Sequence, residues 1–401
     1  MKVTPFCAIR PNPNLVAEVS ALPYDVVTYE ELKSQVMSPK SFFHVTRAEI
    51  DLPEIKNPYD QSVYEKSSQV LKSFLEKGWL VSDKNESFYI YQESFQGRVQ
   101  TGLVALVSIA EYKSNLIKKH ELTRKEKEQD RINHIFNCRA HTEPVFLTLR
   151  APAQLREVFA QAMTDKNLRF NFTSSDGVTH KLWQVESFSE TKKITELFSE
   201  VPCSYIADGH HRAAAASEVS KRLGNTDFLA VIFPHTELLV LPYHRVVKDH
   251  QGLGWQKIKL LAERYFDFSI GPVSKKHEFG VYVENQWLKM TAKKNICDDD
   301  DVIKTLDVHI LQEFFLKDVF SIIDPRTDKN IDFIGGTYRG LGGQAGIEDY
   351  CQQNRDYIGL SLFATSIKEM MAVADMGLVM PPKSTWFEPK LRSGLFLYLI
   401  N

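Results

Sequence analysis

The order of apolar and polar positions predicts short strands alternating with amphipathic helices. Apolar runs predict strands at residues 3–9, 41–46, 87–92, 101–109, 144–150, 179–185, 228–233 and 238–241. Apolar residues recur at helical spacing from Val63 to Phe74, which predicts a helix over about 60–78 that ends at Gly78. Further helices are predicted near Thr28, which resembles an N-cap, and over 366–375. The predicted fold class is therefore α/β with a mixed sheet.

One stretch combines a predicted strand, a turn and a helix with several chemical groups. The run from Cys203 to Ala207 predicts a buried strand, Gly209 marks a turn, and four alanines predict a helix over about 210–223. The first helical turn then carries two histidines and Arg212 beside backbone N–H groups that lack helical partners. Such a helix start favours an anion, so a phosphate site is predicted. The alternative is that Asp208 is only an N-cap, paired with Arg212 on the surface.

A second stretch, residues 117–134, is the most highly charged of the chain. On a helix, a set of cationic and histidine side chains would share one face: His120, Arg124, Lys127, Arg131 and His134. Acidic neighbours, among them Glu121 and Asp130, offset this charge. The alternative interpretation is a solvated helix with many ion pairs.

Composition narrows the classes of function. The chain has 401 residues, which favours two or three domains. Lys+Arg 49 against Asp+Glu 51 gives a net charge of −2, which argues against a protein that coats nucleic acid. Five scattered cysteines are typical of reduced thiols, and no apolar run has the length of a membrane span. We therefore expect a cytoplasmic protein, with no membrane partner and with nucleic acid an improbable one.

Five motifs, in order, resemble a bacterial and archaeal family called domain of unknown function 1015. They are Leu-Pro-Tyr-Asp-Val from residue 22, Lys-His-Glu-x-Thr-Arg-x-x-Lys-Glu-x-Asp-Arg from 119, Tyr-Ile-Ala-Asp-Gly-His-His-Arg from 205, Leu-Pro-Tyr-His-Arg from 241, and Met-Pro-Pro-Lys-Ser-Thr-x-Phe-x-Pro-Lys from 380. The chain departs from the family at Ala213 and Ala214, where members often carry a tyrosine and an acidic residue.

The Asp-Gly-His-x-Arg segment also resembles that of the ParB-related free-serine kinases, which phosphorylate L-serine to O-phosphoserine. This resemblance implies a ParB-like core formed by residues 1–54 and 191–250. Residues 55–190 would be an inserted α/β region with the charged helix, and residues 251–401 a C-terminal α/β region.

A kinase needs cations and backbone donors around phosphates, a carboxylate for Mg²⁺ or for the attacking hydroxyl, and alignment. The expected phosphate-binding and nucleotide-binding residues are Gly209, His210, His211, Arg212, Arg124, Lys127, Arg131, Lys383 and Ser384. The expected substrate-binding residues are Tyr24, His244 and Arg245.

Four residues are the candidates for catalysis. Asp208 would hold Mg²⁺ or orient the hydroxyl, with Glu121 or Asp25 as the alternative base. His120 would be an acid/base partner or a phosphate ligand. The expected cofactors are Mg²⁺ and ATP or ADP, and the expected partners are a nucleotide and a small amino acid; the oligomeric state stays open.

Two alternative functions remain at this point. In the first, the same turn holds a nucleotide for regulation and no phosphoryl group is transferred. In the second, which the net charge disfavours, the chain is a ParB-like DNA-binding protein or nuclease.

Overall fold

A computed structural model of the chain describes residues 1–27, 29, 32–33, 36, 38–336 and 343–400. The predicted N-cap at Thr28 lies outside the described residues.

The strands, numbered in chain order, are β1 Val3–Thr4, β2 Ile9–Pro11, β3 Leu80–Ser82, β4 Phe88–Phe95, β5 Arg98–Ser108, β6 Ile117–Lys118, β7 Ala140–His141, β8 Val145–Leu149, β9 Leu168–Thr173, β10 Thr179–Val185, β11 Ser204–Asp208, β12 Asp227–Pro234, β13 Leu239–Leu241, β14 His244–Lys248, β15 Phe266–Ser269, β16 Glu278–Val283, β17 Gln286–Ala292, β18 Ile331–Ile334, β19 Tyr357–Leu362, β20 Trp386–Glu388 and β21 Tyr398–Leu399.

The α-helices are α1 Val16–Val19, α2 Phe43–Thr46, α3 Gln61–Glu76, α4 Ile109–Lys113, α5 Lys125–Cys138, α6 Leu155–Ala162, α7 Phe188–Ser199, α8 His210–Leu223, α9 Trp255–Ala262, α10 Asp307–Leu311, α11 Asp318–Phe320, α12 Gly343–Gln353 and α13 Ile367–Asp375. Short 3₁₀ turns and one π-helical turn, Gln312–Lys317, join some of them.

The chain divides into two compact units. The first comprises Met1–Lys119, Thr123–Leu238 and Pro389–Asn401, and the second comprises His120–Leu122 and Leu239–Glu388. The boundaries predicted from the sequence, with a core of residues 1–54 and 191–250, an insertion of 55–190 and a C-terminal region of 251–401, remain a prediction.

The first unit is built on a large mixed sheet. Its described strands follow the order β6-β11-β8-β12-β5-β4-β10-β9, and β1 pairs with β5. The pairs β11 with β6 and β12 with β8 are parallel, whereas β11 and β8 are antiparallel. The predicted fold class, α/β with a mixed sheet, is therefore confirmed.

The sheet and its helices share an apolar core. Strand residues such as Leu103, Leu147 and Ile232 are fully buried in it. Helix α8 contributes Ala213 and Ala216, whose small side chains let the helix lie close to the strands. This packing fixes the start of α8 relative to the end of β11.

The second unit has its own sheet, which is antiparallel throughout its described pairs. Its strand order is β15-β17-β16-β19-β14-β18, and β13 and β20 form a separate two-stranded ladder. Val246, Tyr282, Ile334 and Ile347 belong to its core.

Two predictions of secondary structure are wrong. Residues 41–46 were predicted as a strand, but Phe43–Thr46 is a short helix. One helical turn buries both Phe42 and Val45, which lie three residues apart, so packing overrides the β-propensity of this run.

The charged helix is also shorter than predicted. It spans Lys125–Cys138, so His120 lies outside it and Arg124 is its extended N-cap. Arg131 and His134 do share a buried face of the helix, together with Ile135. The predicted continuous cationic stripe from His120 to His134 is therefore not present.

Among the described residues, none of the helices has both the length and the apolar character needed to cross a bilayer. All five cysteines are free thiols.

Candidate functional site

The strand, turn and helix predicted around Gly209 are confirmed. Strand β11 ends at Asp208, and Gly209 adopts a left-handed backbone with φ 95° before α8 begins at His210. A Cβ at this position would lie 2.9 Å from Arg212 Nε, besides forcing an unfavourable φ. Glycine is thus required both by the turn and by the side chain that lies against it.

Arg212 folds back over this turn. Its NH1 donates to the carbonyl oxygen of Pro144, and its NH2 lies 3.8 Å from Asp208 Oδ2. Burial by itself lowers the pKa of Arg212, but the nearby carboxylates, led by Asp208 and Glu143, raise it above its ordinary value. The guanidinium therefore stays charged although its side chain is buried.

A lysine from the far end of the chain reaches the same carboxylate. Lys390 Nζ lies 3.2 Å from Asp208 Oδ2, and Asp208 keeps 28% of its side-chain surface exposed. Asp208 thus has two cations beside one oxygen while remaining open to solvent. Gly209 is the N-cap of α8 and no side-chain cap hydrogen bond is present, so the alternative that Asp208 is the N-cap is wrong, whereas its pairing with Arg212 is present.

His211 connects the turn to the charged helix. Its Nε2 lies 3.1 Å from the backbone nitrogen of Arg124 and accepts a hydrogen bond from that N–H. A neutral imidazole that accepts at Nε2 carries its proton at Nδ1. The N-cap of α5 is therefore held against the first turn of α8, where His210 is buried and His211 is partly exposed.

Arg131 lies in a buried cluster of charges. It donates to Asp130 Oδ2 from NH2 at 2.9 Å, and its guanidinium lies 3.7 Å from the centre of the Tyr24 ring. Burial by itself lowers the pKa of Arg131, but the charges of Asp130 and Glu143 raise it above its ordinary value. Arg131 therefore holds Asp130 and the Tyr24 ring in the buried part of the cluster.

Glu143 joins four segments of the first unit. Its Oε1 accepts hydrogen bonds from the Tyr24 backbone N–H at 3.2 Å and the Ser393 hydroxyl at 2.6 Å. Its Oε2 lies 3.5 Å from Arg131 NH1. Antiparallel pairing brings Glu143 close to the turn, because Asp208 at the end of β11 is opposite Phe146 near the start of β8.

The Tyr24 hydroxyl stays protonated at neutral pH. Its burial, followed by the charge of Asp25, raises the pKa of Tyr24 well above its ordinary value. Asp25 itself is exposed. Lys127 lies elsewhere on α5 and donates to the Tyr59 hydroxyl at 2.7 Å.

Six of the predicted site residues belong to the second unit: His120, Glu121, His244, Arg245, Lys383 and Ser384. Arg245 donates to the carbonyl oxygens of Pro382 at 3.2 Å and Lys383 at 3.0 Å. Burial lowers the pKa of Arg245 to about 10. Arg245 therefore holds the loop that carries Lys383.

Three further residues of this group also form internal contacts. The Ser384 hydroxyl donates to the Pro381 carbonyl oxygen at 2.6 Å, and Ser384 is buried. His244 Nδ1 accepts from the Leu362 N–H at 3.2 Å, and burial lowers the pKa of His244 to about 4. His120 contributes its carbonyl oxygen to the Met380 N–H at 2.8 Å.

A family model described as a protein of unknown function, DUF1015, matches residues 3–309. The chain belongs to this family. The family predicted from the five ordered motifs is thus confirmed. No curated protein matches the chain.

Several solved structures are similar to this DUF1015 chain. SbnI from Staphylococcus aureus, with a C-terminal truncation, is 12% identical, with 74% of this chain and 87% of that chain covered and a TM-score of 0.39. A free serine kinase in complex with AMP is 13% identical, with 73% and 92% covered and a TM-score of 0.39. A conserved hypothetical protein from Pyrococcus furiosus is 14% identical, with 74% and 95% covered and a TM-score of 0.37.

Two residues of the cluster around Asp208 and Arg131 were not predicted from the sequence. Glu143 stands alone before a predicted strand, and no local pattern marks it. Lys390 is the last residue of the Met-Pro-Pro-Lys motif, from which only Lys383 and Ser384 were predicted as site residues. Its place in that motif is the signal that could have identified it.

Proposed function

We propose that the chain is a nucleotide-dependent phosphotransferase that phosphorylates the hydroxyl of free L-serine or of a similar small compound. One observation carries this proposal. At the start of α8, a left-handed glycine and two cations, Arg212 and Lys390, surround the partly exposed Asp208.

The electrostatics of this turn favour a phosphate. The first N–H groups of an α-helix have no partner within the helix, and the helix dipole places about half a positive charge there. Arg212 and Lys390 add two cations beside Asp208. A phosphate group would receive hydrogen bonds from the turn and from these cations, as at other helix starts that bind phosphate.

The choice of serine rests on the resemblance of Asp208–Arg212 to the corresponding segment of free-serine kinases. In this proposal Asp208 orients the attacking hydroxyl, and the exposed Asp25 is the alternative base. Tyr24, with its protonated hydroxyl, is a hydrogen-bond donor to the substrate. Its ring is held by Arg131 and its backbone by Glu143, which favours a fixed position for that donor.

The carboxylate of Asp208 also fits Mg²⁺. In phosphoryl-transfer sites this ion takes one or two carboxylates, and the nucleotide phosphates and water supply its other ligands. Asp208 is a partly exposed carboxylate beside the proposed phosphate position. When bound, the ion would neutralise charge on the phosphates.

The proposal is tested by mixing the full chain with ATP or ADP, Mg²⁺ and L-serine and measuring O-phosphoserine by mass spectrometry. We expect product from the wild type and none from Asp208→Asn. Asp165→Asn, which changes an exposed carboxylate of the same unit, is the matched control and should retain activity. Absence of product with every donor would contradict the proposal.

A nucleotide-binding regulatory protein is the second candidate. The observation that favours it is the ion pair of Asp208 with Lys390, which already occupies one oxygen of the proposed catalytic carboxylate. Saturable binding of ATP or ADP without any phosphoserine would support this function instead.

A further inference from the structure

We propose that Lys390 is a catalytic residue that binds the terminal phosphate of the nucleotide. This inference rests on the phosphotransferase function proposed above and assigns a residue that local sequence patterns did not identify. It depends on three observations: the position of Lys390, the anchoring of its segment and the presence of two cations at the turn.

The ammonium of Lys390 lies directly at the turn. Its Nζ is 3.2 Å from Asp208 Oδ2, the same oxygen that lies 3.8 Å from Arg212 NH2. Only 11% of the Lys390 side chain is exposed, so its aliphatic part is packed and its charged end is directed to this carboxylate. This differs from the usual surface lysine pair, in which both side chains are solvated.

The residues that follow Lys390 are fixed on two sides. Arg392 NH2 donates to Ser174 Oγ at 3.1 Å and pairs with Asp176. Ser393 donates its hydroxyl to Glu143 and forms two backbone hydrogen bonds with Ala21, at 2.8 and 3.2 Å. The segment therefore has little freedom, and Lys390 is presented to the turn in a defined position.

Two cations lie at the turn beside the start of α8. Lys390 and Arg212 both approach Asp208 Oδ2, and Glu143 is a second carboxylate that acts on Arg212. Arg212 is buried and bound to the Pro144 carbonyl, so it contributes its charge from a fixed place. Lysine is a compact point charge on a flexible stem, and such a group can transfer its contact from Asp208 to a phosphate oxygen.

The test compares the affinities of AMP, ADP and ATP, measured by calorimetry on the full chain. If Lys390 contacts the terminal phosphate, Lys390→Ala reduces the preference for ADP or ATP over AMP by about 10- to 100-fold. It also lowers kcat for phosphoserine formation by about 100-fold. Lys390→Arg, which keeps the charge, retains most of the preference.

A merely structural role for Lys390 gives a different result. If the lysine only held Asp208 in place, Lys390→Ala would weaken the binding of AMP, ADP and ATP by the same factor. An unchanged ratio of the ADP or ATP affinity to the AMP affinity overturns the proposal. Lys40→Ala is the matched control, because Lys40 pairs with Glu18 at 2.9 Å in the same unit, outside the proposed site. It should alter neither the ratio nor kcat.

The two proposals fail in distinguishable ways. A wild-type protein that makes phosphoserine, with an unchanged nucleotide ratio in Lys390→Ala, shows that only the assignment of Lys390 is wrong. A wild-type protein that binds none of the three nucleotides overturns both the proposed function and the role of Lys390.

Discussion

Glu143→Ala is the substitution expected to disturb the packing beneath the proposed site most strongly. The carboxylate is buried and accepts from the Tyr24 N–H and the Ser393 hydroxyl, and it faces Arg131 at 3.5 Å. Alanine leaves these groups without that acceptor. Asp130 remains as the ion-pair partner of Arg131.

The expected loss of stability follows from these contacts. A buried donor that loses its acceptor costs about 1–3 kcal/mol, and removing one partner of a buried ion pair costs about 3–5 kcal/mol. Because these effects share one side chain, they do not add. Glu143→Ala is therefore expected to lower the free energy of unfolding by about 3–5 kcal/mol. Glu143→Gln keeps an acceptor oxygen and loses only the charge, so about 1–2 kcal/mol is expected.

Hydrogen exchange measured by mass spectrometry is the suitable assay, since it reports on each compact unit separately. Peptides that cover Val145–Leu149 and Ser204–Asp208 should exchange about 100-fold faster or more in Glu143→Ala. The control is Glu218→Ala. The Glu218 carboxylate forms an exposed pair with Lys221 at 2.6 Å, so its removal should change the free energy of unfolding by less than about 0.5 kcal/mol. Equal exchange in Glu143→Ala and Glu218→Ala would refute the reasoning.

Two further predictions concern the turn and the second unit. Gly209 has φ 95°, and a Cβ added there would lie 2.9 Å from Arg212 Nε. Gly209→Ala should therefore lower the free energy of unfolding by about 1–2 kcal/mol and weaken ADP binding. An unchanged ADP affinity, measured by calorimetry, would contradict this. Asp307 is buried, and burial raises its pKa to about 7, so its folded form keeps a proton that the unfolded chain releases near pH 4. The free energy of unfolding should therefore fall as the pH rises from about 4 to 7, by up to about 1.4 kcal/mol per pH unit. In Asp307→Asn, urea unfolding measured over the same pH range should not show this fall. An identical pH dependence in the variant and the wild type would show that Asp307 does not titrate in this way.

The local part of the site could be predicted from the sequence. The turn at Gly209 and the helix from His210 follow from a small residue after an apolar run and from four successive alanines, which are strong local signals. The same holds for the strand Ser204–Asp208, whose boundaries lie close to those predicted.

The long-range part could not be predicted in this way. Glu143 approaches the turn because β8 and β11 are antiparallel, and no spacing in the sequence reveals that pairing. Lys390 lies 182 residues from Asp208 along the chain. The start of α5 was misplaced for a related reason, since His211 holds the N-cap Arg124 through a contact that the local charge pattern does not contain.

A crystal structure of the full chain with ADP tests the central claim most directly. The account predicts that the phosphates lie against the backbone N–H groups at the start of α8, within hydrogen-bond distance of that turn and of Lys390. Phosphates bound at another place on the chain, with the turn from Asp208 to Arg212 unoccupied, would contradict it.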